Sequence, residues 1–299
     1  MKETVLLTGA NGFVGRHLHR ALREKYRVVR LIWPPEESIA GEDPVFHVDL
    51  SDSDAVKKLI PSLVQTPCRS ILHLAAVLCK PGDWDNIAYF KLNNAITLNM
   101  IHLAPAIACS HLINFSSLAV YPNRTGVYNE KSMVDMADNT ECLYGLAKFN
   151  AEMLFRYYLK SKMKVTNLRM AQVFGPGMQA DRLIGILAKE LRETNRITLF
   201  GNGERVSNFV DVVDVAQAVL AVLSNPAAGT YNLGNETNMS YLELAKDIMS
   251  QAGKEDSRIL LEEKGVRARV EIDTRRFEKQ FQYACRSQDL SFLKKGGDR

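Results

Sequence analysis

The sequence predicts an α/β protein: a doubly wound parallel sheet with a smaller C-terminal α/β lobe. Three observations predict it. Short runs rich in Val, Ile and Leu alternate with stretches of helical periodicity through the first half of the chain and beyond, the pattern of strands joined by crossover helices. The first such run, Thr4–Thr8, leads through Gly9, Gly12 and Gly15 straight into a helical stretch. The 299 residues are 46% hydrophobic and 24% charged, enough apolar material for a sizeable core.

Taken in order, the strand at 4–8 precedes a turn, Gly9-Ala10-Asn11-Gly12-Phe13-Val14-Gly15, and a helix expected from 16 to about 25. Glycines at three-residue intervals let the backbone turn tightly and approach a diphosphate, whose charge the free N–H groups of a helix N-terminus can hold. A dinucleotide is the expected ligand. The second strand, 28–32, ends at Trp33-Pro34-Pro35 and lacks the terminal acid that bonds a ribose in many NAD sites. Arg16 and Arg30 are near in sequence, so a 2′-phosphate is tolerated and NADP is slightly favoured over NAD. A third strand, 45–50, ends in Asp49 and Leu50, and the acidic run 51–54 caps the next helix. The fourth, 70–76, finishes in small residues beside which a cofactor can lie close to backbone. Helix is expected over 86–108, strand over 112–117, helix over 144–158 and strand over 165–169.

Beyond that point the spacing predicts a helix over 183–193, a strand over 197–200 and a turn at 201–203. A strand over 209–213 is followed by Asp214 and Gln217 as a capping box for the helix carrying Ala218 to Leu223. Strand 229–233, a Ser240/Glu243 capped helix over 241–251 and a frayed tail over 294–299 complete the reading.

Composition excludes several classes. The net charge of +4 is scattered, so no polybasic run points to nucleic acid or a membrane surface. The five cysteines, Cys68, Cys79, Cys109, Cys142 and Cys285, are widely spaced with no C-x-x-C pair and read as reduced thiols. The histidines form no ligand cluster, so no metal is expected. No apolar run approaches a membrane span, and a strand begins almost at once, leaving no room for a signal peptide. The expected location is cytoplasmic.

The chemistry-bearing stretch is Tyr144-Gly-Leu-Ala-Lys148. On a helix the phenol and the ammonium stand one turn apart on the same face. An apposed ammonium favours phenolate, drawing a phenol toward the range in which it can exchange a proton with an alcohol. The strand end Asn114-Phe-Ser-Ser117 would present a serine beside the pair. A Tyr/Lys pair alone occurs on many helices, and the glycine turn is what gives it meaning.

Together these residues resemble the extended short-chain dehydrogenase/reductases, specifically the NAD-dependent epimerase/dehydratase group acting on nucleotide sugars. The resemblance rests on the glycine turn, Asp49-Leu50, His73-Leu-Ala-Ala76, Asn93 with Thr97, Ser116-Ser117 ahead of Val120-Tyr121, Tyr144-x-x-x-Lys148, Leu168-Arg169 ahead of Val173-Phe-Gly-Pro176, and Val212-x-Asp214-Val215. It implies a Rossmann-type sheet. Gly9, Asn11, Gly12, Phe13, Val14 and Gly15 would hold the pyrophosphate, Asp49 and Leu50 the adenine, and Leu74, Ala75, Ala76 and Asn93 the nicotinamide half of NAD or NADP. Ser117, Tyr144 and Lys148 would form the catalytic set, with Lys148 also on the nicotinamide ribose. A homodimer through the helices holding 98–108 and 144–158 is implied as well.

Departures from the group's pattern narrow the function. Ser117-Leu118-Ala119 replaces the Thr-Asp-Glu of the 4,6-dehydratases. Gln172 stands for the usual Asn, and Ser207 occupies the position of an arginine that clamps the diphosphate. Arg205, two residues earlier and on the same strand face, is the expected substitute, with Arg267 or Arg269 as further phosphate contacts. The expected function is a nucleotide-sugar epimerase working through a keto intermediate. Its alternatives are an NADPH-dependent 4-ketoreductase and a non-catalytic NAD(P) sensor. Residues 1–168, with about 206–223 returning to them, are expected to bind the cofactor, and 169–299 the substrate.

Overall fold

The computed structural model describes residues 2–34, 43–136 and 138–295. Pro35 of the turn after the second strand and residues 296–299 of the expected tail lie outside the described residues. The apolar runs pair into one seven-stranded sheet: β1 (Thr4–Thr8), β2 (Arg27–Ile32), β3 (Val45–His47), β4 (Ser70–His73), β5 (His111–Ser117), β6 (Lys164–Met170) and β7 (Gly229–Leu233), in the spatial order β7-β6-β5-β4-β1-β2-β3. Every pairing is parallel. The chain builds outward from β1 to β3 on one side, returns to β4, and builds outward on the other. The crevice beyond the C-terminal ends of β1 and β4 is therefore the switch point at which such sheets bind ligands.

Side chains of one strand alternate between two buried faces. Val5 and Leu7 pack with α1 (Phe13–Leu22), α6 (Val212–Ser224) and α8 (Arg275–Phe281) through Leu18, Leu22, Val215, Val219 and Phe281. Leu6 and Leu31 pack on the other face with α2 (Ser53–Val64), α3 (Ala88–Ala106) and α4 (Cys142–Leu159) through Val56, Ile96, Met100 and Phe155. Each fully buried Leu, Ile, Val or Phe contributes roughly 1.5–3 kcal/mol. A separate core joins α5 (Leu183–Thr194), α7 (Tyr241–Ala252) and the strand pair Arg196–Phe200 with Arg258–Glu262 through Leu187, Leu191, Ile197, Leu199 and Ile248. All five cysteines are free thiols, four of them buried. Among the described residues no helix is long and apolar enough to cross a membrane.

Several boundaries move for identifiable reasons. Helix α1 starts at Phe13 rather than 16, because Gly12 already supplies the extended N-cap conformation. Strands β3 and β4 stop at His47 and His73, so residues 48–50 and 74–76 continue as loops from the C-terminal ends of the sheet. The capping box at Ser240/Glu243 is present, but the one expected at Asp214/Gln217 is not. Asp211 caps α6 by accepting from Val213 N. Asp214 lies a turn further in, 9% exposed. It accepts from the Tyr283 hydroxyl (2.6 Å) and from the backbone N–H groups of Arg286 and Ser287 (2.7 Å each). Removing it strands those donors. Asp214→Ala is expected to cost about 2–4 kcal/mol, by the worth of buried bonds to a charged acceptor, read as a lowered midpoint in urea denaturation; an unchanged midpoint would refute this account.

Candidate active site

The crevice is floored by glycine. Gly9 takes a left-handed φ of +67°, and a Cβ there would lie 2.9 Å from Ala75 N, so the β1 and β4 loops touch backbone to backbone. A Cβ on Gly15 would fall 2.1 Å from Gly9 O, which seats α1 directly beneath the turn. Gly12 differs, since its φ of −66° and ψ of 167° suit any residue and a Cβ would meet only Gly9 O, at 3.3 Å. What glycine provides there is clearance above the chain. Helix α1 has no side-chain cap, so first-turn N–H groups are left for a ligand. Asn11 O accepts from Arg16 Nη1 (2.7 Å), bracing the turn; Phe13 packs edge-on to His17, and Val14 reaches the core. This cradle fits a dinucleotide pyrophosphate.

Around it, Thr8 Oγ1 accepts from Ala75 N (3.0 Å) and bonds His73 Nδ1 (3.0 Å). Burial, with Lys148 nearby, depresses His73 to about 3, so the imidazole stays neutral. Leu74, Ala75 and Ala76 are half-buried at the crevice. Asn93 is not free to face a cofactor, because its amide donates to Val77 O and Tyr89 O and accepts from Val77 N, 2.8–2.9 Å throughout. It pins the loop after β4 instead. Asp49 Oδ1 accepts from Ser51 N and Oγ, and Leu50 buries its side chain in the core while its carbonyl accepts from Asn99. Arg30 is mid-strand and 1% exposed, with burial lowering its pKa and Asp43 opposing. It is enclosed between strands rather than presented to a 2′-phosphate, which leaves Arg16 alone of the two arginines read as tolerating NADP.

Helix α4 brings the reactive groups to the β5 end. A Cβ on Gly145 would lie 2.3 Å from Ala119 O, so only glycine lets α4 settle against the 3-10 turn Leu118–Val120 that follows Ser117. Lys148, 7% exposed, donates to Phe115 O (2.8 Å), and burial lowers it to about 8. Its Nζ stands 5.5 Å from the centroid of the Tyr144 ring. The expected acidified phenol is absent in the free chain: burial, with Glu141 adding to it and Arg182 opposing, pushes Tyr144 above its ordinary value. Burial sets the direction of the shift, and the Lys148 ammonium is engaged with a carbonyl. Ser116 donates to Glu152 and is buried, whereas Ser117 is partly exposed and its Oγ accepts only from Ala119 N (3.1 Å). Ser117 is the serine with a proton to offer.

Across the crevice, Gln172 Nε2 donates to Ser207 Oγ (2.8 Å), so the two departures from the family pattern bond each other. Arg205 donates to Asn123 Oδ1 (3.2 Å) and lies over the Tyr241 ring at 5.4 Å, which ties it to the segment just past Tyr121. Arg267 does not join this group; it is exposed, donates to Glu263 O and pairs with Glu204 at 3.7 Å. Arg269 likewise pairs with Glu271. Sequence reasoning missed Glu141 and Arg182, which pair at 3.5 Å beside Tyr144, and the buried Glu152–Arg169 pair. Glu152, at i+4 from Lys148, carried a readable signal.

A parallel sheet with a glycine turn at its switch point and a Ser/Tyr/Lys set one strand away defines a dinucleotide-dependent oxidoreductase-like protein. The chain belongs to the NAD dependent epimerase/dehydratase family, whose model matches residues 5–234. It is 24% identical to a UDP-N-acetyl-alpha-D-glucosaminuronate decarboxylase of Bacillus cytotoxicus over 83% of this chain and 80% of that protein. It is 26% identical to an uncharacterized UDP-glucose epimerase of Bacillus subtilis over 84% and 82%. In fold it is similar to the UDP-glucose 4-epimerase of Thermotoga maritima, with a TM-score of 0.83, 20% identity and coverage of 97% and 96%.

The depressed Lys148 has a pH signature. Its folded value of about 8 lies below the ordinary 10.5, so between those values the unfolded chain binds the extra proton and stability rises with pH. The cost of the buried ammonium is fully present below pH 8 and is lifted toward 10.5. The stability of wild type relative to Lys148→Met is therefore expected to climb over that window in chemical denaturation, and a flat difference would contradict the burial.

Proposed function

We propose that this protein is an NAD(P)-dependent epimerase of a nucleotide-linked sugar, working through a keto intermediate in the cytoplasm. What supports the reading is that Lys148 Nζ lies 5.5 Å from the Tyr144 ring and bonds Phe115 O, two residues before Ser117, in a chain whose first strand ends in a glycine cradle. Gly9, Asn11, Gly12, Phe13, Val14 and Gly15 would hold the pyrophosphate, and Asp49, Leu50 and the 74–76 segment the rest. The bound cofactor supplies hydride transfer.

The remaining roles belong to the protein. Tyr144 Oη takes the proton from the sugar hydroxyl on oxidation and returns it on reduction; Ser117 Oγ orients that oxygen, and Lys148 holds the ribose. Gln172 and Ser207 face the sugar as a neutral amide–hydroxyl pair, and Arg205 serves as the diphosphate handle. Residues 1–168, with α6, β7 and α8 returning to their sheet, form the cofactor half, and the remainder of 169–299 closes over the substrate. The second strand ends at Ile32-Trp33 with no terminal acid, and this favours as second reading a nucleotide-sugar 4-ketoreductase using NADPH.

The test is a panel of UDP-, dTDP- and GDP-sugars and their 4-keto forms, with NAD and NADP. Epimerisation is followed by product chromatography and reduction by absorbance at 340 nm. Tyr144→Phe is expected to lose about 10²–10⁴-fold in kcat while keeping cofactor binding. Where alcohol oxidation limits turnover, the wild-type rate is expected to rise with pH, because phenolate is the active form. Cofactor binding without turnover in wild type and Tyr144→Phe alike would point to a sensor and overturn the proposal.

We also propose a homodimer through α3 and α4. The outward positions Leu98, Leu146, Met153 and Tyr157 are 49%, 38%, 44% and 71% exposed, and on α4 they fall seven and four residues apart, on one helical stripe. Met153→Asp with Tyr157→Asp is expected to halve the mass seen in sedimentation equilibrium; a wild type that sediments as a monomer sinks this assignment.

A further inference from the structure

Behind the three reacting side chains lies an ion pair that the proposed chemistry does not use. Arg169 and Glu152 are each 3% exposed and meet through two bonds, Nε to Oε1 at 3.0 Å and Nη2 to Oε2 at 2.8 Å. Burial alone would depress the guanidinium, yet the carboxylate outweighs it and the Arg169 pKa is raised. Such a pair is a poor source of net stability. Desolvating two ions costs about as much as their attraction returns, and apolar residues of similar volume often hold a core as well or better.

Its remaining contacts show what the pair can do. Glu152 accepts from the hydroxyl of Ser116, the residue before Ser117. Arg169 Nη1 donates to Tyr121 Oη (2.9 Å), and its guanidinium lies 5.1 Å from that ring. Tyr121 closes the 3-10 turn that begins after Ser117, and its hydroxyl reaches Asn232 Oδ1 (2.8 Å) on β7. On α4, Lys148 bonds Phe115 O and Glu152, one turn on, bonds Ser116. Two successive turns of the helix are thus fastened to two successive residues of the strand, just ahead of Ser117 and Tyr121.

We propose that the Glu152–Arg169 pair is a positioning device that sets the placement of Lys148 and Tyr144 relative to Ser117, a proposal that rests on these three being the reacting set. A hydrogen-bonded pair with fixed directions specifies the register of α4 on β5 and β6, where apolar packing would accept a slide of a fraction of an ångström. Displacement of about 1 Å at a reacting group is enough to cost of order 10²-fold in rate.

The test compares wild type, Glu152→Gln and the double variant Glu152→Met/Arg169→Met by thermal unfolding, NADH fluorescence titration and steady-state kinetics on the sugar that the panel identifies. The double variant is expected to unfold within about 3 °C of wild type, consistent with the near-neutral balance of buried pairs. Its NADH affinity is expected to fall about fivefold or more and its kcat about tenfold or more, at unchanged KM for the sugar nucleotide. Wild-type kcat and NADH affinity in the folded double variant would overturn the proposal. So would losses that only track a falling melting temperature. Should the double variant fail to fold, Glu152→Gln, which keeps the shape and an acceptor for Ser116, is expected to lower kcat and NADH affinity at unchanged KM, and wild-type values in it would be equally fatal. If wild type turns over no sugar on the panel, the functional reading fails by itself, while NADH affinity against melting temperature still decides the role of the pair.

Discussion

The hydrogen bond from Lys148 Nζ to Phe115 O is the constraint on which the rest of the site depends. A nearly buried ammonium with one carbonyl for company is expensive, and the protein bears that expense at a single place, the contact between α4 and the end of β5. The absence of any side chain on Gly145 makes the contact reachable, and the Glu152 bond one turn further along keeps it in register. The resting state follows: a lysine depressed to about 8, a phenol pushed up, and a serine whose proton is uncommitted.

Much of this was legible in the sequence because it is local. The glycine turn, the strand–helix alternation and the Tyr144/Lys148 pair are short-range patterns, and their geometry follows from helical and strand periods. The parts that were not legible depend on partners far along the chain. Asp214 looked like a cap because its neighbours spell one, and only residues 283–287 reveal it as an anchor. Asn93 and Arg30 looked available because nothing nearby in sequence shows them committed to Val77 and enclosed near Asp43. The phenol's direction of shift was misjudged for a related reason: spacing reveals the ammonium, whereas the desolvation that wins is a property of the assembled crevice.

The substrate side shows a coordinated change. Two departures that look independent in the sequence, Gln172 and Ser207, bond each other, and Arg205, two residues before Ser207, is tied to Asn123 and Tyr241.

One consequence concerns synthesis. The outer strand β7 and the segment that grips Asp214 are made after the rest of the sheet, yet they cover the edge of β6 and hold α6. A nascent chain halted after residue 200 would carry the whole glycine turn and the Tyr144 helix with an open, apolar sheet edge beside them. Such an edge invites pairing with other chains. Until β7 is made, the sheet therefore ends on the unpaired strand β6.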